Sequence, residues 1–137
     1  MQNNQNKKEL VDEWVNRAKD DEQNVVSILK HRDGTPMMVC FISHQIAEKY
    51  LKALILFYSG DYPKVHSLIK LISLIKQYVK TTEDELKEEI LTLDPYYIET
   101  RYPADIPLEE FNWQMAEEAY GAAVKIKIFV LNKINIV

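Results

Sequence analysis

The stretch from Pro36 to Ser59, PMMVCFISHQIAEKYLKALILFYS, constrains the fold more than any other part of the chain. After its opening proline it contains neither glycine nor proline, so nothing in it forces the backbone to turn. Its apolar residues recur at helical spacing around nearly the whole circumference, and a helix of that kind must be covered on most sides by other elements. Turn residues are scarce elsewhere too, with three glycines and five prolines in 137 residues. That scarcity favours a few long helices over a meander of strands, so the expected class is all-α.

The covering elements can be read in order. Residues 1–6 read as a frayed end, and a first helix is expected from about Lys7 to His31. It carries Leu10, Trp14, Val15, Ala18, Val25, Ile28 and Leu29 at helical spacing. Asp33-Gly34-Thr35-Pro36 ends it, and Pro36 suits the first turn of the second helix, which Gly60-Asp61-Tyr62-Pro63 breaks after Ser59. A third helix is expected from about Val65 to Val79. Thr82-Glu83-Asp84-Glu85 reads as a capping box opening a short fourth helix to about Leu93. Asp94-Pro95 stops that helix and a loop rich in tyrosine and proline follows. The last helix is expected from near Pro107, with Glu109 and Glu110 at its positive end. Its stripe is Leu108, Phe111, Met115, Ala119, Ala122, Ile126, Phe129 and Val130, with alanines small enough for close packing. The sum is one domain over residues 1–137, an up-and-down four-helix bundle with an extra short helix.

Composition narrows the function classes. A net charge of −4 provides no general electrostatic footprint for nucleic acid, so DNA is not an expected partner and any RNA or nucleotide contact must come from a local patch. The lone Cys40, inside an apolar run, excludes an internal disulfide and reads as a small buried hydrophobe. No pair of histidines has the spacing of a helical metal site, so neither a metal nor another cofactor is expected. The longest uninterrupted apolar run, Ala53 to Tyr58, is far too short for a membrane span. With a polar start and no apolar signal core, the cytoplasm is the default location. A glycine-rich phosphate loop, a paired CxxC and a serine elbow are all absent.

What remains is a set of polar residues in apolar surroundings. In the second helix these are Ser43, His44, Gln45, Glu48, Lys49 and Lys52. At about 100° per residue, positions 45, 48, 49 and 52 share one face, while His44 and Glu48 stack one turn apart. Periodicity alone reads this face as solvated, with Glu48 and Lys52 as an i,i+4 ion pair. The alternative is a cleft or dimer seam where a phosphate or RNA backbone meets Lys49 or Lys52. His66, at the start of the third helix, either caps a turn or offers an imidazole as hydrogen-bond partner or proton carrier. His31 and His44 are weaker candidates. Of seventeen basic residues only Arg17, Arg32 and Arg101 are arginines. Arg101 sits among Tyr96, Tyr97 and Tyr102, where a guanidinium fork suits phosphate or carboxylate and the rings offer stacking faces. It could equally tie the loop to helix-end carbonyls or to Glu48.

Together, Trp14 with Ala18 and Asp21, Gln45-Ile46-Ala47-Glu48-Lys49-Tyr50-Leu51-Lys52-Ala53-Leu54, His66-Ser67-Leu68, and Tyr97 followed by Arg101-Tyr102-Pro103 resemble the HEPN family (higher eukaryotes and prokaryotes nucleotide-binding), in its Arg-Tyr-Pro loop branch. The resemblance implies a helical bundle, usually a homodimer. It also implies a partner nucleotidyltransferase encoded nearby, in a two-component or toxin–antitoxin-like pair. Many members are metal-independent ribonucleases with an arginine followed four to six residues later by histidine. No histidine follows Arg17, Arg32 or Arg101 at that spacing. The expectation is therefore a module without clear catalytic activity that binds a nucleotide or the partner enzyme. Arg101, Lys52 and Lys49 would meet phosphates, Tyr97 or Tyr102 would stack, and His66, Glu48 and Gln45 would complete the site. A ribonuclease toxin and a purely structural dimerisation domain are the alternatives.

Overall fold

The computed structural model describes residues 2–97 and 106–135, with side chains from Asn6 onward. Five α-helices follow one another: α1 Gln2–His31, α2 Pro36–Ser59, α3 Leu68–Ile75, α4 Thr82–Leu93 and α5 Trp113–Ile134. There is no strand among the described residues. α2 is the central rod, with α1, α5 and α3 packed on it and α4 closing on α5. The all-α bundle with one extra short helix is thus the observed architecture. None of its described helices is long and apolar enough to cross a membrane.

The caps explain the limits of α2. Thr35, in extended conformation, accepts a hydrogen bond from the Met38 N–H at 3.2 Å, and Pro36 occupies the first turn, where its missing N–H costs nothing. At the far end Gly60 takes φ 82°, a left-handed conformation that suits glycine, and its N–H donates to the Leu56 carbonyl at 2.8 Å. Val39, Cys40, Ile46, Ala47, Tyr50, Leu51, Leu54 and Leu56 are all fully buried, as an all-round apolar helix demands. The buried alanines Ala116, Ala119, Ala122 and Ala123 let α5 lie close to it. A polar knot ties the same three helices. Glu22 of α1, itself buried, accepts from the Tyr50 hydroxyl at 2.6 Å, the Tyr120 hydroxyl at 3.2 Å and Lys127 at 3.1 Å.

Three expected boundaries differ. α1 begins at Gln2, ahead of Lys7, because the apolar period marks only the packed part of a helix. α3 is only Leu68–Ile75, since Ser67 is its cap and the Ile75 carbonyl is taken by the N–H groups of Tyr78 and Val79 in a turn. The last helix starts at Trp113, not near Pro107. Asn112 caps it by accepting from the Met115 N–H at 2.8 Å. Leu108, Glu109 and Glu110 form a separate 3-10 turn, and Leu108 is 66% exposed and no part of the core stripe. The capping box at Thr82 is also not formed. The Thr82 hydroxyl donates back to the Val79 carbonyl at 2.6 Å, and the residue is buried inside α4.

Candidate functional site

His44, Glu48 and Lys52 are spaced one turn apart along α2, so they form a single column of polar side chains. The solvated face that periodicity suggests is not what the fold builds. Glu48 is 5% exposed, Lys52 is 3% exposed and His44 is fully buried. Other segments cover the column. Trp14 comes from α1, His66 from the segment between α2 and α3, and Tyr97 from the end of the 3-10 turn Asp94–Tyr96 that follows α4.

Glu48 organises the column. Its Oε2 accepts from Lys52 Nζ at 3.0 Å and lies 2.8 Å from His66 Nδ1. Its Oε1 faces His44 Nδ1 at 4.0 Å, beyond hydrogen-bond range. The His44 ring stacks on Tyr97 with centroids 5.4 Å apart and planes 15° from parallel, and Tyr97 also meets the His66 ring at 6.3 Å. The contacts therefore close a circuit: Glu48 to His66, His66 to Tyr97, Tyr97 to His44, and His44 back to Glu48. Lys52 lies over the Trp14 ring at 5.6 Å, and Trp14 meets Tyr62 edge-on.

The electrostatics are tight. Burial pushes the His44 imidazolium down to a pKa of about 4, against the opposing pull of the Glu48 and Asp94 carboxylates and with the help of His66. His44 is thus neutral at neutral pH. Both of its ring nitrogens, Glu48 Oε1 and the Ser43 hydroxyl are buried without a hydrogen-bond partner among the described residues. A buried group left without a partner costs about 1–3 kcal/mol, and these four atoms lie within two turns of one helix.

Beside the circuit lies a cavity of about 440 Å³ lined by Lys64, Val65, His66, Ser67, Lys70, Asp94 and Tyr97. His66 and Tyr97 belong to both the circuit and the cavity wall. Among the described residues no group of His, Cys, Asp and Glu is arranged to hold a metal ion.

Of the residues singled out from the sequence, Glu48, Lys52, His66 and Tyr97 come together here. Lys49 does not: it points to the α1 side and pairs with Asp21. Gln45 is half-buried and makes no side-chain hydrogen bond among the described residues. Arg101 and Tyr102 lie outside the described residues. His44, ranked low from its sequence position, is central, and its i,i+4 relation to Glu48 was the available signal. Lys64, Lys70 and Asp94 carried no such signal, because only the fold brings the α2–α3 segment beside the end of α4. Cys40 is fully buried, with its thiol pushed up to about 11 by burial against a hydrogen bond with Tyr96, as befits a core residue.

No curated protein matches the chain. Two crystal structures are similar over 90% of this chain and 97% of theirs. One is TT1696 from Thermus thermophilus, 33% identical with a TM-score of 0.77, and the other is ST0689, an archaeal HEPN homologue, 26% identical with a TM-score of 0.70. The profile of the HEPN domain matches residues 11–134, spanning α2, His66, Tyr97 and all of α5, and the chain therefore belongs to the HEPN family.

Proposed function

We propose that this chain is a nucleotide-binding HEPN module whose ligand is held by the circuit of His44, Glu48, His66 and Tyr97. The observation that carries this reading is a cavity walled by His66 and Tyr97, which in turn pack on Glu48 and His44, whose buried atoms lack hydrogen-bond partners among the described residues. A planar base suits such a place. Tyr97 already stacks against an imidazole and forms part of the cavity wall, where a base could stack in turn. Lys52 is not among the phosphate ligands in this reading, because its ammonium is held by Glu48 and covered by Trp14. A role within a two-component system, with a partner nucleotidyltransferase and a homodimeric assembly, belongs to the same proposal and is supported by family membership.

Calorimetric titration of the folded protein with ATP, GTP and short RNAs tests it, with Trp14 fluorescence as a second readout because that ring covers Lys52. Saturable binding that Tyr97→Leu weakens is the expected result. Absence of heat and of fluorescence change with every ligand overturns it.

A second reading has one specific observation in its favour. An imidazole held at Nδ1 by a buried carboxylate, as His66 is by Glu48, has the arrangement of an oriented acid–base group. RNA that is cut by the purified protein in the presence of chelator, and left intact by His66→Asn, would move the assignment to a ribonuclease.

A further inference from the structure

α3 is more apolar than its surroundings require. Six of its eight residues, Leu68–Ile75, are leucine or isoleucine, and a helix apolar on most sides must be covered on most sides, as α2 is. α3 is not. It packs on α2 and α4 with Leu68, Leu71, Ile72 and Ile75 buried, and Ile69 is left 55% exposed. Leu91, outside the buried stripe of α4, is 64% exposed. Of the large apolar side chains described, only Leu108 is more exposed than these two. Both belong to one groove of about 450 Å³ between α3 and α4. α3 contributes Ile69, Ile72, Ser73 and Lys76, the i, i+3, i+4, i+7 spacing of a single helix face. α4 contributes Glu83, Lys87, Ile90 and Leu91. Ile72 and Ile90 are buried while Ile69 and Leu91 project, so floor and lips are both apolar. Lys76 pairs with Glu83 across the groove, and Lys87 lies one turn on from Glu83. Two lysines thus meet one glutamate, which leaves an excess of positive charge on the rim.

We infer that this groove docks a short amphipathic helix of another protein chain, with apolar residues on the face it presents and an acid beside Lys87. Both walls are helices, so the groove offers ridges to a third helix and no strand edge to an extended peptide. At 1.5 Å per residue the eight residues of α3 are about 12 Å long, room for about two turns of an occupant. A second copy of this chain fits poorly. A stable interface engages about 20–30 residues a side, and eight residues line the groove. The groove shares no lining residue with the cavity at His66 and Tyr97, so the inference does not depend on nucleotide binding.

The test selects a displayed library of short helical peptides, randomised on one face, on wild type and counter-selects it on Ile69→Lys/Leu91→Lys. Both positions are exposed, so the variant keeps its core, and its melting temperature checks that. The expected result is a set of peptides with apolar residues at i, i+3 or i+4, and i+7, with an acid next to them. In anisotropy titrations a synthetic copy should bind the double variant roughly tenfold or more weakly than wild type, the worth of one buried leucine. Ile128→Lys changes a similarly exposed apolar residue on α5, outside the groove, and should bind as wild type does. Lys87→Glu should weaken the acidic peptide several-fold and leave its glutamine analogue unaffected. Selection of no peptide that distinguishes wild type from the double variant overturns the inference, as does equal weakening by Ile128→Lys. A wild-type dimer that sediments as a monomer in Ile69→Lys/Leu91→Lys overturns it in favour of a second copy.

Discussion

Replacing Glu48 with glutamine removes one charge, almost no volume, and the reference point of the polar column. The carboxylate accepts from Lys52 at 3.0 Å and sits 2.8 Å from His66 Nδ1. At 3.0 Å and an effective dielectric of about 20, the Coulomb attraction to Lys52 is about 5–6 kcal/mol. Desolvation of two ions at 5% and 3% exposure offsets most of that, so the pair as a whole stabilises little relative to two apolar residues. Breaking it from one side is different, because the Lys52 ammonium stays buried with no counter-charge, at a cost of about 3–5 kcal/mol. For a chain of this length that lowers the melting temperature by about 10–20 °C. Lys52→Met should cost less, since His66 remains against the carboxylate and the methionine keeps the apolar stem over Trp14. The double variant Glu48→Gln/Lys52→Met should recover to within about 2 kcal/mol of wild type. Thermal melts followed at 222 nm, at one fixed protein concentration so that association does not shift the midpoint, measure all three. A Glu48→Gln penalty below about 1 kcal/mol, or a double variant equal to the sum of the two singles, would show that the pair is neither buried nor coupled as described.

Other perturbations address the surroundings of the column. The pKa of His44 falls from 6.5 in the unfolded chain to about 4 in the fold, so below pH 6.5 the unfolded state binds the extra proton. Its contribution is complete above that pH and is lost as pH falls from 6.5 towards 4, by about 3 kcal/mol in all. Urea midpoints measured across that window should drop in wild type and stay flatter in His44→Leu, and parallel curves would exclude His44 as the cause. Tyr50→Phe removes the 2.6 Å hydrogen bond to Glu22 without changing shape. Denaturant titration should find a loss of about 1.5–3 kcal/mol, the range for a hydrogen bond to a charged group, and a change under about 0.5 kcal/mol would mean the Glu22 knot does not hold α1 to α2. Cys40, buried and with its thiol raised to about 11, should react with an aromatic disulfide reagent at pH 8 only after denaturant is added. Stoichiometric reaction of the native protein within seconds would place the thiol at the surface.

The parts of this fold that the sequence disclosed are those in which one residue's chemistry acts on its near neighbours. Thr35-Pro36 and Gly60 mark the ends of α2 because capping and left-handed turning are local events. The periodicity of Val15, Ala18 and Val25 identifies α1 for the same reason, although Leu10, read into that stripe, is 42% exposed and its neighbour Val11 is the buried residue. The column of His44, Glu48 and Lys52 was visible as a column, but its burial was not. Burial depends on Trp14, His66 and Tyr97, which reach it from three separate segments, and a helix-face argument contains no information about what those segments cover. Thr82 shows the complementary failure. A threonine three residues before a glutamate fits a capping box, yet the preceding turn had already engaged its hydroxyl with the Val79 carbonyl.

The burial of the column also bears on how a site can work in so small a bundle. An exposed carboxylate on one helix would exchange among rotamers and water, and its geometry would have to be fixed anew by each ligand. Glu48 cannot do so. Lys52 and His66 hold Oε2 from two sides, and fully buried neighbours such as Ala47 and Leu51 fix the backbone beneath it. The immobilised carboxylate leaves Oε1 directed at His44 with no hydrogen-bond partner among the described residues, and the His44 ring is itself held flat against Tyr97. Two orphaned groups are thereby kept at fixed positions at a standing cost in stability. A fold under selection for stability alone would remove that cost with a leucine at position 44. Under the proposed function, that rigidity in the free protein would reduce the entropy lost on binding.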